Sequence, residues 1–279
     1  MIEAVNLAKR YGVKTALDNV SFRVEPGELF AYLGPNGSGK TTTIRLLTGL
    51  SRPDAGQALT NGFDMATHPV QAKRQNGLVP QNMNLDAELT VRENLDIHGR
   101  LFGLDRSMRR ERIAELLAYV EMSDRADSRI KELSGGQKRR IMIARALMHN
   151  PRTLFLDEPT VGLDPAIRRR IWSLIRQVRE SGMTIFLTTH YIEEAEFLAD
   201  RVAFLDQGRM VALGPPREHM DRIGQWAVDE LENGRIVSRY FPDRETAQDS
   251  AARWPGNVTV RRVNLEDAFH VLTGRKVAP

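Results

Sequence analysis

The run Gly34-Pro35-Asn36-Gly37-Ser38-Gly39-Lys40-Thr41 fills every fixed position of the Walker A pattern GxxxxGK[ST]. Its glycines let the backbone curl toward a polyphosphate and aim N–H groups inward, and a following helix adds the positive end of its dipole. In such a loop Lys40 reaches the β- and γ-phosphates, and the Thr41 hydroxyl is offered to Mg²⁺. A second chemical pair, Asp157 and Glu158, closes the apolar run Leu154-Phe155-Leu156. Asp157 could hold the metal, and Glu158 could polarise an attacking water if its carboxylate faces the γ-phosphate. Alone, two acids at a strand end are ordinary charge patterning; beside a Walker A they read as a hydrolytic pair. Nucleoside triphosphate binding is the first expectation.

Those side chains need a frame. Apolar runs at Leu29–Leu33, 78–79, 154–156 and 185–187 predict buried strands separated by helical patterns, as in a mostly parallel α/β sheet. Ile44, Leu46, Leu47 and Leu50 open a helical pattern just after the loop, which places the Walker A at a strand-to-helix junction. Ile167, Ile171, Leu174, Ile175 and Val178 form one helical stripe, with Asp164 as cap and Pro165 in the first turn. From about 88 to 150 no strand is expected, and 92–102, 108–120 and 136–148 read as inserted helices. Residues 201–213 read as two strands around the turn Asp206-Gln207-Gly208. Pro215-Pro216 then marks a boundary between a main domain, 1–215, and a small accessory α/β domain, 216–279. In the latter the expected order is strand (235–240), helix (245–253), strand (258–263) and helix (265–272).

Composition narrows the setting. Lys plus Arg number 40 and Asp plus Glu 36, so the net charge is only +4, too mild to argue for a nucleic-acid partner. There are no cysteines, hence no disulfides and no thiolate metal site. No apolar run approaches the roughly 18 residues of a membrane span. The chain reads as soluble and unexported, so any work at a membrane requires another polypeptide to span it. The basic clusters Arg109-Arg110, Lys138 to Arg140 and Arg168 to Arg170 lie in predicted helices and read first as solvated faces. The 138–140 cluster is the best exception, because it follows Leu133-Ser134-Gly135-Gly136-Gln137, where Ser134 is placed to cap a helix.

That pentapeptide is also the signature of ATP-binding cassette proteins, and over roughly residues 1–215 the chain resembles an ABC-type ATPase. The motifs stand in family order: Tyr11, the Walker A, Gln81 after a strand, Ser134 to Gln137, the Asp157-Glu158 pair, Gly162-Leu163-Asp164, and His190. The resemblance implies a P-loop NTPase fold, a RecA-like core with an inserted helical subdomain. It implies a head-to-tail dimer, expected to be a homodimer, in which the Walker A of one subunit and the signature of the other enclose ATP and Mg²⁺. Residue by residue, Tyr11 would stack on adenine, Gly34 to Thr42 would cradle the phosphates, and Thr41, Gln81 and Asp157 would serve the metal. Glu158, His190 and Gln81 would act at the γ-phosphate and water, while Ser134, Gly135, Gly136, Gln137 and Asp164 would reach ATP across the dimer. One departure is Arg139, where many cassettes have Gln.

The resemblance further implies an ATP-hydrolysing subunit on the cytoplasmic face of the cell membrane, partnered by a separate integral membrane permease. The tail Leu265-Glu266-Asp267-Ala268-Phe269-His270-Val271-Leu272-Thr273-Gly274 looks like that of drug-, antibiotic- or polysaccharide-export cassettes. Two other readings stay open: an importer ATPase, and a soluble mechanical ATPase acting on nucleic acid or ribosomes. The second is disfavoured by a single Walker A, a single signature and the lack of any sustained heptad run.

Overall fold

The computed structural model describes residues 1–232, 235–254 and 256–274. The last residues of the expected accessory domain, 275–279, lie outside them. The chain opens with β1 (Ile2–Tyr11) and β2 (Lys14–Val24), then β3 (Leu29–Leu33) leads through the Walker A into α1 (Lys40–Leu47). β4 (Ala55–Thr60), β5 (Phe63–Asp64), α2 (Pro69–Arg74) and β6 (Asn76–Val79) follow. Next come α3 (Val91–Leu101), α4 (Arg106–Tyr119) and α5 (Gly135–Leu147), with no named strand between them. The chain returns to the sheet through β7 (Thr153–Asp157), α6 (Pro165–Glu180), β8 (Thr184–Thr189), α7 (Ile192–Leu198), β9 (Arg201–Asp206) and β10 (Arg209–Gly214). It ends with α8 (Pro216–Asp221), β11 (Trp226–Glu232), β12 (Arg235–Phe241), α9 (Arg244–Ala252), β13 (Val258–Arg262) and α10 (Leu265–Thr273).

The central sheet has the order β10-β9-β3-β8-β7-β6. Every neighbouring pair is parallel except β9 and β10. Every residue of β3, β7 and β8 is buried, as expected of strands covered on both faces. Because these strands are adjacent and parallel, their carboxyl ends deliver the Walker A, the Asp157-Glu158 pair and His190 to one edge, where open α/β sheets bind ligands. Helices α3 to α5 pack on the core through Leu95, Ile113, Leu116, Leu117 and Ile141.

Three features differ from expectation. A second, antiparallel sheet, β2-β1-β4-β5, is built from residues 2–24 and 55–64, where no strand was expected. Register shifts along β1, with Asn6 at φ 49°, break the alternation that would have marked it. Phe22 of β2 nevertheless stacks on Phe30 and Phe186 at 5.4 and 5.6 Å, fastening this sheet to the central one. Second, the carboxy-terminal unit contains α8 and β11 as well as the four expected elements, in a sheet of order β12-β11-β13. Asp229, Glu230 and Glu232 hide β11 from a hydropathy reading, yet Glu230 is 5% exposed and pairs with Arg239 at 3.2 Å. The closing helix α10 leaves that sheet and buries Leu265, Ala268 and Phe269 among Ala31, Leu33, Val202 and Phe204. Third, the Arg109 side chain is not on a solvated face: it pairs with Asp96 at 2.6 Å and donates to the Leu104 carbonyl, tying α4 to α3.

Where α5 ends, His149 stacks on Phe102 at 3.6 Å, and burial lowers the pKa of both His98 and His149 to about 4. In the unfolded chain these imidazoles protonate near their ordinary value of about 6.5. Between the two values the unfolded chain binds more protons, so this pair lowers stability as pH falls from 7 toward 5. Replacing His149 by Gln is expected to shrink the loss of Tm between pH 7 and 5 relative to the native chain. Equal losses in calorimetry would contradict this.

Candidate functional site

Between β3 and α1 the backbone turns through Gly37 at φ 81° and Gly39 at φ 115°, conformations that favour glycine. Close packing fixes the loop further: a Cβ on Gly34 would stand 2.3 Å from the Leu205 carbonyl oxygen, and one on Gly39 2.5 Å from that of Ala16. Helix α1 has no side-chain cap, whereas α3, α4, α5 and α6 are capped by Thr90, Asp105, Ser134 and Asp164. The first N–H groups of α1 therefore keep their donors for an anion at the loop.

Lys40, 5% exposed, donates from Nζ to the carbonyls of Gly34 at 2.7 Å and Pro35 at 3.2 Å, and pairs with Glu158 at 3.1 Å. Glu158 sits just past β7 at φ 51°, a left-handed conformation that is costly for a residue with a side chain. That turn separates two consecutive acids. Glu158, itself 4% exposed, faces Lys40 and accepts from His190, at 2.6 Å from Nδ1 and 3.3 Å from the backbone N–H. Asp157 instead accepts from the hydroxyls of Thr188 at 2.6 Å and Thr41 at 3.3 Å. Burial raises the Asp157 pKa, and the Thr188 and Thr41 hydrogen bonds oppose that rise.

A cleft of about 400 Å³ opens over these groups and is lined by Tyr11, Asn36, Gly37, Thr41, Thr42, Gln81 and Glu158. The glycine loop, an uncapped helix start and a buried lysine suit a polyphosphate. The Thr41 hydroxyl and the Asp157 carboxylate are hard oxygen donors that fit Mg²⁺. Among the described residues no group of three or more His, Cys, Asp or Glu forms a metal cage, so an ion here would draw further oxygens from phosphate and water.

The signature residues lie elsewhere in the chain. Ser134 caps α5 through a reciprocal box with Gln137, its hydroxyl accepting from the Gln137 N–H at 3.3 Å while Gln137 Oε1 accepts from the Ser134 N–H at 2.9 Å. Gly136 lets α6 approach closely: a Cβ there would stand 2.4 Å from Cγ2 of Ile167, which would have to shift. Asp164 caps α6 through the Ile167 N–H at 2.9 Å. None of Ser134, Gly135, Gly136, Gln137 and Asp164 lines the cleft that holds Lys40.

Several neighbours escaped the sequence reading. Lys14, beginning β2, joins the cleft, and only its pairing with Tyr11 across the first hairpin brings it there. Thr188 meets Asp157 because β8 pairs with β7. Glu194, fully buried, accepts from Thr160 and the Trp172 indole, both at 2.8 Å, linking α7 to the turn after Glu158 and to α6. The 138–140 cluster is also not a solvated face. Arg139 is buried against the Gln81 loop, and Arg140 donates to the Val120 carbonyl at 3.1 Å.

A family model described as ABC transporter matches residues 17–161. The chain belongs to the ABC transporter family. It is the ATP-binding, ATP-hydrolysing subunit of an ABC transporter. The Nod factor export ATP-binding protein I of Ralstonia nicotianae is 46% identical over 304 aligned positions, covering 99% of this chain and 95% of that protein. The linearmycin resistance ATP-binding protein LnrL of Bacillus subtilis is 44% identical over 231 residues, 83% of this chain and 74% of its own. Among solved structures, the ABC cassette MJ0796, a dimer in a post-hydrolysis state bound to ADP and Pi, superposes with a TM-score of 0.71 at 30% identity, covering 77% of this chain and 98% of that one. Among the described residues no helix of this ABC subunit is long and apolar enough to cross a membrane.

Proposed function

We propose that this chain powers an exporter, that two copies close head to tail around ATP, and that Glu158 activates the hydrolytic water. The observation that carries the catalytic part is the placement of Glu158, buried at the cleft between Lys40 and His190. A polyphosphate entering the Walker A competes with Glu158 for the Lys40 amine, which frees one carboxylate oxygen to take a proton from water. His190 holds the other oxygen and fixes the side chain's direction. Thr41 and Asp157 are the residues that would hold Mg²⁺, which when bound neutralises charge developing on the phosphates. Gln81, exposed at the cleft mouth, is placed to attend metal and water, and Tyr11 offers its ring to adenine.

The dimer reading is supported by the separation of the signature from the cleft within one chain, and by the dimeric MJ0796 cassette. Ser134 to Gln137 and Asp164 of a second copy would then complete the site, so that hydrolysis and phosphate loss weaken the pair. In this reading 1–215 is the nucleotide-binding domain, with the helical subdomain at about 88–150, and 216–279 is an accessory unit. The export direction is supported by the names of the relatives, Nod factor export and linearmycin resistance. Both also weigh against a nucleic-acid partner and against the importer alternative. In this reading the chain works on the cytoplasmic face of the membrane, beneath a permease that does the spanning. Purification of the tagged full chain from native membranes is expected to recover a stoichiometric multi-span protein. Recovery of ribosomes or DNA with no such partner would overturn the transport role.

A further inference from the structure

Two arginines of α5 hold the first part of the loop that follows β6, from Pro80 to Asn84. Arg139, 4% exposed, donates from its two Nη atoms to successive carbonyls, Pro80 at 2.9 Å and Gln81 at 3.0 Å. Farther along the same helix, Arg145 donates to the Asn84 carbonyl at 2.7 Å and to the Asn84 side chain. Arg139 has no carboxylate within ion-pair distance among the described residues, although the charges of Asp157 and Glu194 act on it from farther away. Burying a guanidinium without a paired anion is expensive, and the planar fork is the feature that lets one side chain grip two consecutive carbonyls. The helix so attached is the one whose first turn carries Ser134 to Gln137. Arg139 lies five residue steps beyond Ser134, a rise of about 7.5 Å. The signature turn and the Gln81 backbone are therefore joined through one helical segment.

We infer that Arg139 is a positioning residue, which ties the place of Gln81 at the cleft to the position of the helix bearing the signature. This rests on the proposed role of Gln81 at metal and water. It predicts that Arg139 matters to turnover and not to the grip on ATP, since none of its contacts touches the Walker A loop.

The test is a two-by-two comparison of the full-length protein, Gln81→Ala, Arg139→Gln and the double variant. ATP affinity is measured with the nucleotide alone, and kcat and the Mg²⁺ concentration for half-maximal ATPase are measured in steady state. Arg139→Gln is expected to leave ATP affinity within about threefold and to lower kcat about ten- to a hundredfold, the scale of a misplaced reacting group. The half-maximal Mg²⁺ concentration should rise, and adding Arg139→Gln to Gln81→Ala should change little more, because both changes act through one side chain. Multiplying losses, or native kinetics in Arg139→Gln, would overturn the coupling while the role of Gln81 stands. Native kinetics in Gln81→Ala would overturn both. Should Arg139→Gln fail to fold, Arg139→Lys keeps the charge without the fork and must show the same split between turnover and ATP affinity. Full recovery of kcat by Lys would also sink the inference.

Discussion

Glu158→Gln is expected to reduce ATP turnover by at least about 10²-fold, the usual contribution of a positioned base, while ATP binding is kept or strengthened. The substitution preserves size and leaves an amide near Lys40 and His190, where the native carboxylate stands at 3.1 and 2.6 Å. Its amide oxygen can still accept from Lys40, but it carries no charge, so the phosphates meet weaker competition for the Lys40 amine. Product ADP and Pi should form slowly, and nucleotide should accumulate on the protein in the triphosphate form. Rapid-quench measurement of a single turnover separates this from slow product release. A chemical step at the native rate would remove Glu158 from the role of base.

Lys40→Ala is expected to weaken ATP binding by about 1.5–3 kcal/mol, the range for hydrogen bonds to charged groups, or roughly 10- to 150-fold in Kd. A second consequence follows from the burial of the pair. Removing the amine leaves Glu158, 4% exposed, with His190 as its remaining side-chain partner and no lysine beside it. A buried carboxylate left short of its counter-charge is destabilising or takes up a proton. The nucleotide-free Lys40→Ala protein should therefore melt earlier than the native chain, and Lys40→Ala combined with Glu158→Gln should recover part of that loss. Isothermal titration and calorimetry read the two effects separately. Unchanged affinity would reject the phosphate-holding role of Lys40, and full additivity in the double variant would reject the stability argument.

Much of the central sheet was legible because β3, β7 and β8 are buried on both faces and so appear as unbroken apolar runs. The helices capped by Ser134 and Asp164 were equally plain, since a capping side chain is a local signal. The amino-terminal sheet was not, because its partners are far apart in sequence and its register shifts scatter the apolar positions. The candidate site divides in the same way. Lys40, Thr41, Asp157, Glu158 and His190 announce themselves by type and motif, and the folded chain brings them together. Lys14, Thr188 and the buried Glu194 acquire their positions from strand pairing and helix packing, which no short motif encodes. Arg139 stood out in the sequence only as an extra charge, and its contact with Gln81 exists only because α5 packs beside the end of β6.

In the proposed dimer the cleft around Lys40 is half of a site whose other half is the signature turn of a second copy. Mixing two separately inactive variants, Lys40→Ala and Ser134→Arg, tests it most directly. In a head-to-tail pair made of one of each, both lesions fall in the same composite site, and the other site keeps an intact Lys40 and an intact Ser134. ATPase activity is therefore expected to reappear on mixing, in proportion to the mixed dimers formed, and to stay absent when both substitutions are placed in one chain and mixed with Lys40→Ala. A mixture as inactive as its two components, with mixed dimers shown to form, would contradict the account.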